Sequence, residues 1–262
     1  MNLDLVERIA EAVLYEGYML YPYTASSVKN QKRFNFGVLS PPGGETSEMQ
    51  TECLVAATGE CEIGIRVRFL QMGDGGETVE RRVLAGTGRH EFDFDGVRGE
   101  VDAALSPVQP GLERLTVKIR NCTTGPGEML SVHTILTVRG GEFISLIDPP
   151  VEYATAAAEC RNVGTWPVLA GIEGERDTML SSPIILYDYP QLAPESPGNL
   201  FDATEIDEIL TLRILTLSEE EKAEIRAGGE RAREVLERSE SLGPEQLRKL
   251  HGAVRGLRQV ER

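Results

Sequence analysis

Cations are scarce in this 262-residue chain. Lys and Arg number 27 against 42 Asp and Glu, a formal net charge of −15 with a pI of about 4.8. That balance excludes general binding to DNA or RNA, because such affinity comes from neutralising phosphates with cations. Anionic membrane surfaces repel the chain for the same reason. Long apolar runs are missing too: none approaches the ~18 residues that a membrane-spanning helix needs. The opening MNLDLVERIAEAVL is amphipathic and carries acids, so it lacks the basic and apolar regions of a signal peptide, and a cytoplasmic location is expected.

Soft ligands are few. Cys53, Cys61, Cys122 and Cys160 are far apart and make no C-x-x-C pair. They are expected to be small buried hydrophobes in strands; a disulfide or a metal role would need the fold to gather them. His90, His133 and His251 are isolated as well. Nickel or iron–sulfur sites want clustered Cys or His, so neither a metal nor a cofactor is expected. The chain has no G-x-S-x-G, H-E-x-x-H, P-loop, dinucleotide-binding glycine set or EF-hand loop.

What the chain does have is pattern. Leu3, Val6, Ile9, Ala10, Val13 and Leu14 recur at helical spacing, predicting a helix over 3–16 with Gly17 as its stop. The middle is strand-rich. Strands are expected at 34–39, 51–57, 62–71, 78–85, 90–95, 98–105, 112–121 and 129–138. In EIGIRVRFLQ, Ile63, Ile65, Val67 and Phe69 share one face while Gly64, Arg66 and Arg68 share the other, so one face packs and one meets water. Gly-rich turns such as MGDGGE and TTGPGE separate these runs. A short helix at 149–160 follows, then one or two strands from WPVL and SSPIILYDY. The pattern predicts an α+β protein: a mainly antiparallel β-sandwich or barrel-like body with an N-terminal helix and a C-terminal helical tail.

The body is expected to span 1–186. Residues 187–200 carry Pro190, Pro194 and Pro197 and read as a stiff crossing segment. The tail, 201–262, opens with Asp202 and Glu205 at capping-box spacing, and Ser218 with Glu221 repeats the signal. Gly228–Gly229 interrupts, and Gly243–Pro244 starts a last helix. From Ser218 onward ten acids balance ten bases, so the whole net charge sits in 1–217.

Two groups read as partner-binding. Tyr18, Tyr21 and Tyr23 cluster beside Lys29, Lys32 and Arg33, a small basic island with aromatic anchors. Leu247, Leu250, Val254 and Leu257 form one stripe of the last helix, ringed by Arg248, Lys249, Arg255 and Arg258. A helix that short is marginal alone, so its stripe must dock on its own body, on a second copy or on a partner. Alternation in HEFDFD sets Glu91, Asp93 and Asp95 on one strand face and His90 with Phe92 and Phe94 on the other. His133 is expected as a packed or edge histidine, and Trp166 as core.

Two stretches, YEGYMLYPYTASSVKNQKRFNFGVL (15–39) and LFDATEIDEILTLRILTLSEEEKAE (200–224), resemble a protein family encoded beside uptake NiFe-hydrogenase genes, notably in actinobacteria. WPVL and PIILYDYPQLAPES fall in the same order, so the resemblance covers most of the chain. That family is known more by its genomic neighbours than by its chemistry. The resemblance implies an accessory part in hydrogenase assembly or function, with a hydrogenase subunit or maturation factor as partner, and implies no catalytic residues. Three readings follow: a non-enzymatic accessory or scaffold protein; a hydrolase or processing enzyme using Asp93, Asp95, Asp202 or Glu205 with His90; and a β-sandwich that binds a small polar ligand. An enzyme should bring those acids into one pocket.

Overall fold

The structure, a computed structural model, describes residues 3–15, 36–73, 78–191, 214–227 and 230–243. The chain divides into two compact units, one made of Met1–Tyr15 with Asn35–Gln191 and the other of Glu16–Phe34 with Leu192–Arg262.

In the first unit the alternating segments form ten strands. They are β1 (Glu48–Ala56), β2 (Glu62–Met72), β3 (Thr78–Ala85), β4 (Gly88–Phe94), β5 (Val97–Gln109), β6 (Leu112–Asn121), β7 (Leu130–Arg139), β8 (Glu142–Ile144), β9 (Trp166–Leu169) and β10 (Thr178–Ser182). They pair as two antiparallel five-stranded sheets, ordered β4-β5-β6-β1-β8 and β3-β2-β7-β10-β9. The inward residues of both sheets, among them Cys53, Val67, Phe69, Val117, Leu136 and Phe143, make one shared core. The expected sandwich is therefore the fold. The β4–β5 hairpin turns through Asp95 and Gly96, both at positive φ, the two-residue turn whose twist matches that of its strands.

The expected helix is α1 (Leu3–Tyr15). Its stripe of Val6, Ile9, Ala10, Val13 and Leu14 is buried on the outer face of the second sheet, over β7, β10 and β2. The outer face of the first sheet is covered only locally: Leu54, Leu112 and Ile144 pack with Ala156 and Ala157 of the short helix α2 (Ala154–Ala158).

Several expectations are corrected. Residues 36–39 form no strand; Leu39 makes only an isolated bridge with Met129. SSPIILYDY is strand only at Ser181 and Ser182, because the segment turns at Pro183 and runs on without a ladder. The three-residue β8 is too short to show alternation. Arg68, expected in water, is buried, because α1 lies over that face. Of the cysteines only Cys53 is a buried strand residue; Cys122 is exposed, and Cys61 and Cys160 are half-buried.

In the second unit, α3 (Glu219–Ala227) and α4 (Glu230–Glu240) pack on each other, burying Ile225, Val235 and Leu236. Ser218 caps α3 as expected. The Glu221 N–H donates to Ser218 Oγ at 3.2 Å, and the Ser218 N–H donates to Glu221 Oε2 at 2.8 Å. Lys222 Nζ and Arg226 Nη2 each reach the Glu240 carboxylate at 3.2 Å.

Candidate functional site

Both expected partner-binding groups, Tyr18, Tyr21, Tyr23, Lys29, Lys32 and Arg33 together with Leu247, Leu250, Val254 and Leu257, lie outside the described residues, as do Asp202, Glu205 and Gly228–Gly229. The other acidic candidates serve a hairpin. Asp93 accepts from the Gly96 N–H at 3.0 Å and from Arg98 Nε at 3.0 Å. Asp95 pairs with Arg81. His90 hydrogen-bonds the Thr87 carbonyl at 3.3 Å. The alternation holds: His90, Phe92 and Phe94 are half-buried, while Glu91 and Asp93 are exposed. Among the described residues no group of three or more His, Cys, Asp or Glu could hold a metal ion, and no helix is long and apolar enough to cross a membrane.

The sandwich has two lateral sides, and they differ. On one, β3 and β4 present charge, with Arg82 on Glu80 and Arg89 on Glu91. Charged edge strands resist pairing with other chains. On the other side run β8 and β9. Asp188 ties them together: it accepts from Ser145 Oγ just after β8 and from the Leu169 N–H of β9 at 2.8 Å. Ser145 Oγ in turn accepts from the Ile147 and Asp148 N–H groups at 3.1 and 2.9 Å. The Tyr189 N–H donates to the Leu169 carbonyl at 2.7 Å, and its hydroxyl donates to the Glu175 carbonyl at 2.9 Å.

These bonds close the strand edges on this side. In β9, Leu169 has both backbone groups occupied, and Pro167 has no N–H to offer. In β1, Gln50 and Val163 exchange backbone bonds at 3.1 and 2.9 Å, and the Glu52 N–H donates to Asn162 Oδ1 at 2.8 Å. The Arg161 N–H returns to Glu52 Oε2 at 2.8 Å.

Exposed apolar side chains are frequent in the stretch of chain that supplies this side. Among the described residues ten large hydrophobics are exposed, and seven of them fall in residues 147–187. Val151 is 92% exposed, Tyr187 82%, Ile185 72% and Trp166 44%. Trp166 is thus not core: it opens the edge strand, opposite Ser182. Ile185 and Tyr187 escape the sequence pattern because their segment reads as a strand. Pro183 and Pro190 bracket it, and that was the available signal against a central strand.

A second polar centre lies under α1. Arg68, with its side chain 2% exposed, reaches Glu7 at 3.1 Å, Glu80 at 2.9 Å and also Glu11. Beside it on β7 is His133, fully buried as expected. Its Nδ1 donates to the Ser131 carbonyl at 2.8 Å, and its Nε2 has no partner. Burial lowers its pKa to about 4, so the ring is neutral. All four thiols are held above their ordinary value, chiefly by loss of hydration, so none is poised as a nucleophile.

No protein-family model matches the chain, and no curated protein does. Among solved structures, a protease, CspB of Clostridium perfringens, overlaps 40% of this chain at 12% identity with a TM-score of 0.17. The matched part spans 23% of that protease, and an overlap so slight carries nothing about fold or activity.

Proposed function

We propose that the protein is a non-enzymatic, cytoplasmic accessory of a NiFe-hydrogenase system, acting in assembly or scaffolding by protein contacts. The observation that carries a contact role is the β8–β9 side, where exposed apolar side chains concentrate on an otherwise charged molecule. The hydrogenase link rests on the resemblance of residues 15–39 and 200–224. In this reading the partner is a hydrogenase subunit or a maturation factor, and a holder of that kind needs surfaces rather than a cofactor of its own.

The test is affinity purification of the tagged protein from its native host, followed by mass spectrometry. Recovery of a hydrogenase subunit or maturation factor supports the reading. Reproducible recovery of the bait without either one counts against it.

A further inference from the structure

We propose that α1 is an acid-sensitive latch: uptake of a proton by His133 frees the helix from the second sheet while the sandwich beneath stays folded. The proposal is independent of the hydrogenase reading.

His133 and its cross-strand partner Arg68 lie on the outer face of the second sheet, the face that α1 covers. His133 is fully buried there; its Nδ1 donates to the Ser131 carbonyl and its Nε2 has no partner. A second proton must therefore go to Nε2, which becomes a donor with no acceptor. A buried charge left unpaired is costly, so the protonated ring favours contact with water. The strands on either side of β7 are held to it by ladders, so the element that gives way is α1.

The charged neighbours do not offset the new cation. From β2 come Arg66 and Arg68, from β3 Glu80 and Arg82, and from α1 Glu7 and Glu11. Three arginines thus meet three glutamates, and the cluster is balanced without the imidazole. β10 brings no ionisable side chain, and Asp4 and Arg8 of α1 are exposed. The imidazolium is a fourth cation, directly across the ladder from Arg68. Burial holds the pKa of the covered ring at about 4, whereas an exposed histidine titrates near 6.5, so falling pH favours the open form.

The helix has its own, separable hold. The core shared by the two sheets takes no residue from α1. What fastens α1 is its apolar stripe, Arg68 on Glu7 and Glu11, and the Ser131 hydroxyl on the Val13 carbonyl. Both polar anchors adjoin His133: Arg68 faces it, and Ser131 lies two residues away on the same strand.

The test is hydrogen exchange on the full chain between pH 7 and 4.5, with rates corrected for the intrinsic effect of pH on amide exchange. Opening of α1 should grow about tenfold for each pH unit below about 6.5, while β1 and β6 keep their protection. Return to neutral pH should restore α1. In His133→Gln the opening should not depend on pH. Glu7→Gln with Glu11→Gln keeps the imidazole, so α1 should open more at every pH with the same slope. A pH-independent opening in the parent, opening of β1 and β6 in step with α1, a slope that survives His133→Gln, or a slope lost in the double variant overturns the proposal.

Discussion

Arg68 on β2 and His133 on β7 are registered partners on the face that α1 covers, one cationic and the other held neutral. The extra residue that sets this register is in β7, since Arg68 faces His133 but Leu70 faces Leu130. Ser131 takes the strain of that bulge at φ 53, and its hydroxyl donates to the Val13 carbonyl at 3.1 Å, fastening the end of α1. A cation, a neutral imidazole and the hydroxyl of Ser131 thus make the seat of the N-terminal helix.

Stability should fall as the medium is acidified from about pH 6.5 to about 4. Burial depresses the folded-state pKa of His133 to about 4, whereas an unfolded histidine titrates near 6.5. Above that window neither state binds the proton. Inside it only the unfolded chain does, so the contribution is lost as pH falls, by up to ~3 kcal/mol. Urea melts across the window should show this slope, and His133→Gln should flatten it. An identical slope in the variant would place the dependence elsewhere.

Removing the guanidinium should loosen α1. Arg68→Ala leaves Glu7, Glu11 and Glu80 crowded without their shared cation, a change expected to cost about 3 kcal/mol. The expected readout is a lower urea midpoint, partly recovered when Glu7→Gln and Glu11→Gln are added. A midpoint within experimental error of the parent would show that the network holds nothing.

Phe92 lies across Gly99 in the β4–β5 ladder, and a Cβ built there would meet its ring at 2.2 Å. The same ring packs on Phe69 and Phe94, with centroids 5.8 and 5.7 Å away. Gly99→Ala should therefore push Phe92 out of that cluster and cost about 1–3 kcal/mol. Thermal unfolding measures the loss, and an unchanged melting temperature would mean that the ring rotates aside freely.

Much of the fold was legible because local pattern dictated it. The strands β2, β4 and β6 declare themselves by alternation, and α1 by the spacing of Val6, Ile9 and Val13. What failed depends on distant chain. Nothing near Arg68 tells that a helix some sixty residues away will cover it and supply Glu7 and Glu11. Trp166 reads as core by residue type, yet it begins an edge strand and its side chain is left exposed. The exposed apolar residues are visible in the sequence, but the Asp188 bonds that hold residues 183–189 beside β9 and Ser145 join chain segments as much as 43 residues apart.

The most direct measurement of the contact role is hydrogen exchange on the protein alone and in the complex recovered from its host. Protection on binding should fall within residues 142–189, above all at Trp166 and 183–188, while β3 and β4 exchange unchanged. Protection confined to other segments, with 142–189 exchanging at the free rate, would contradict the account.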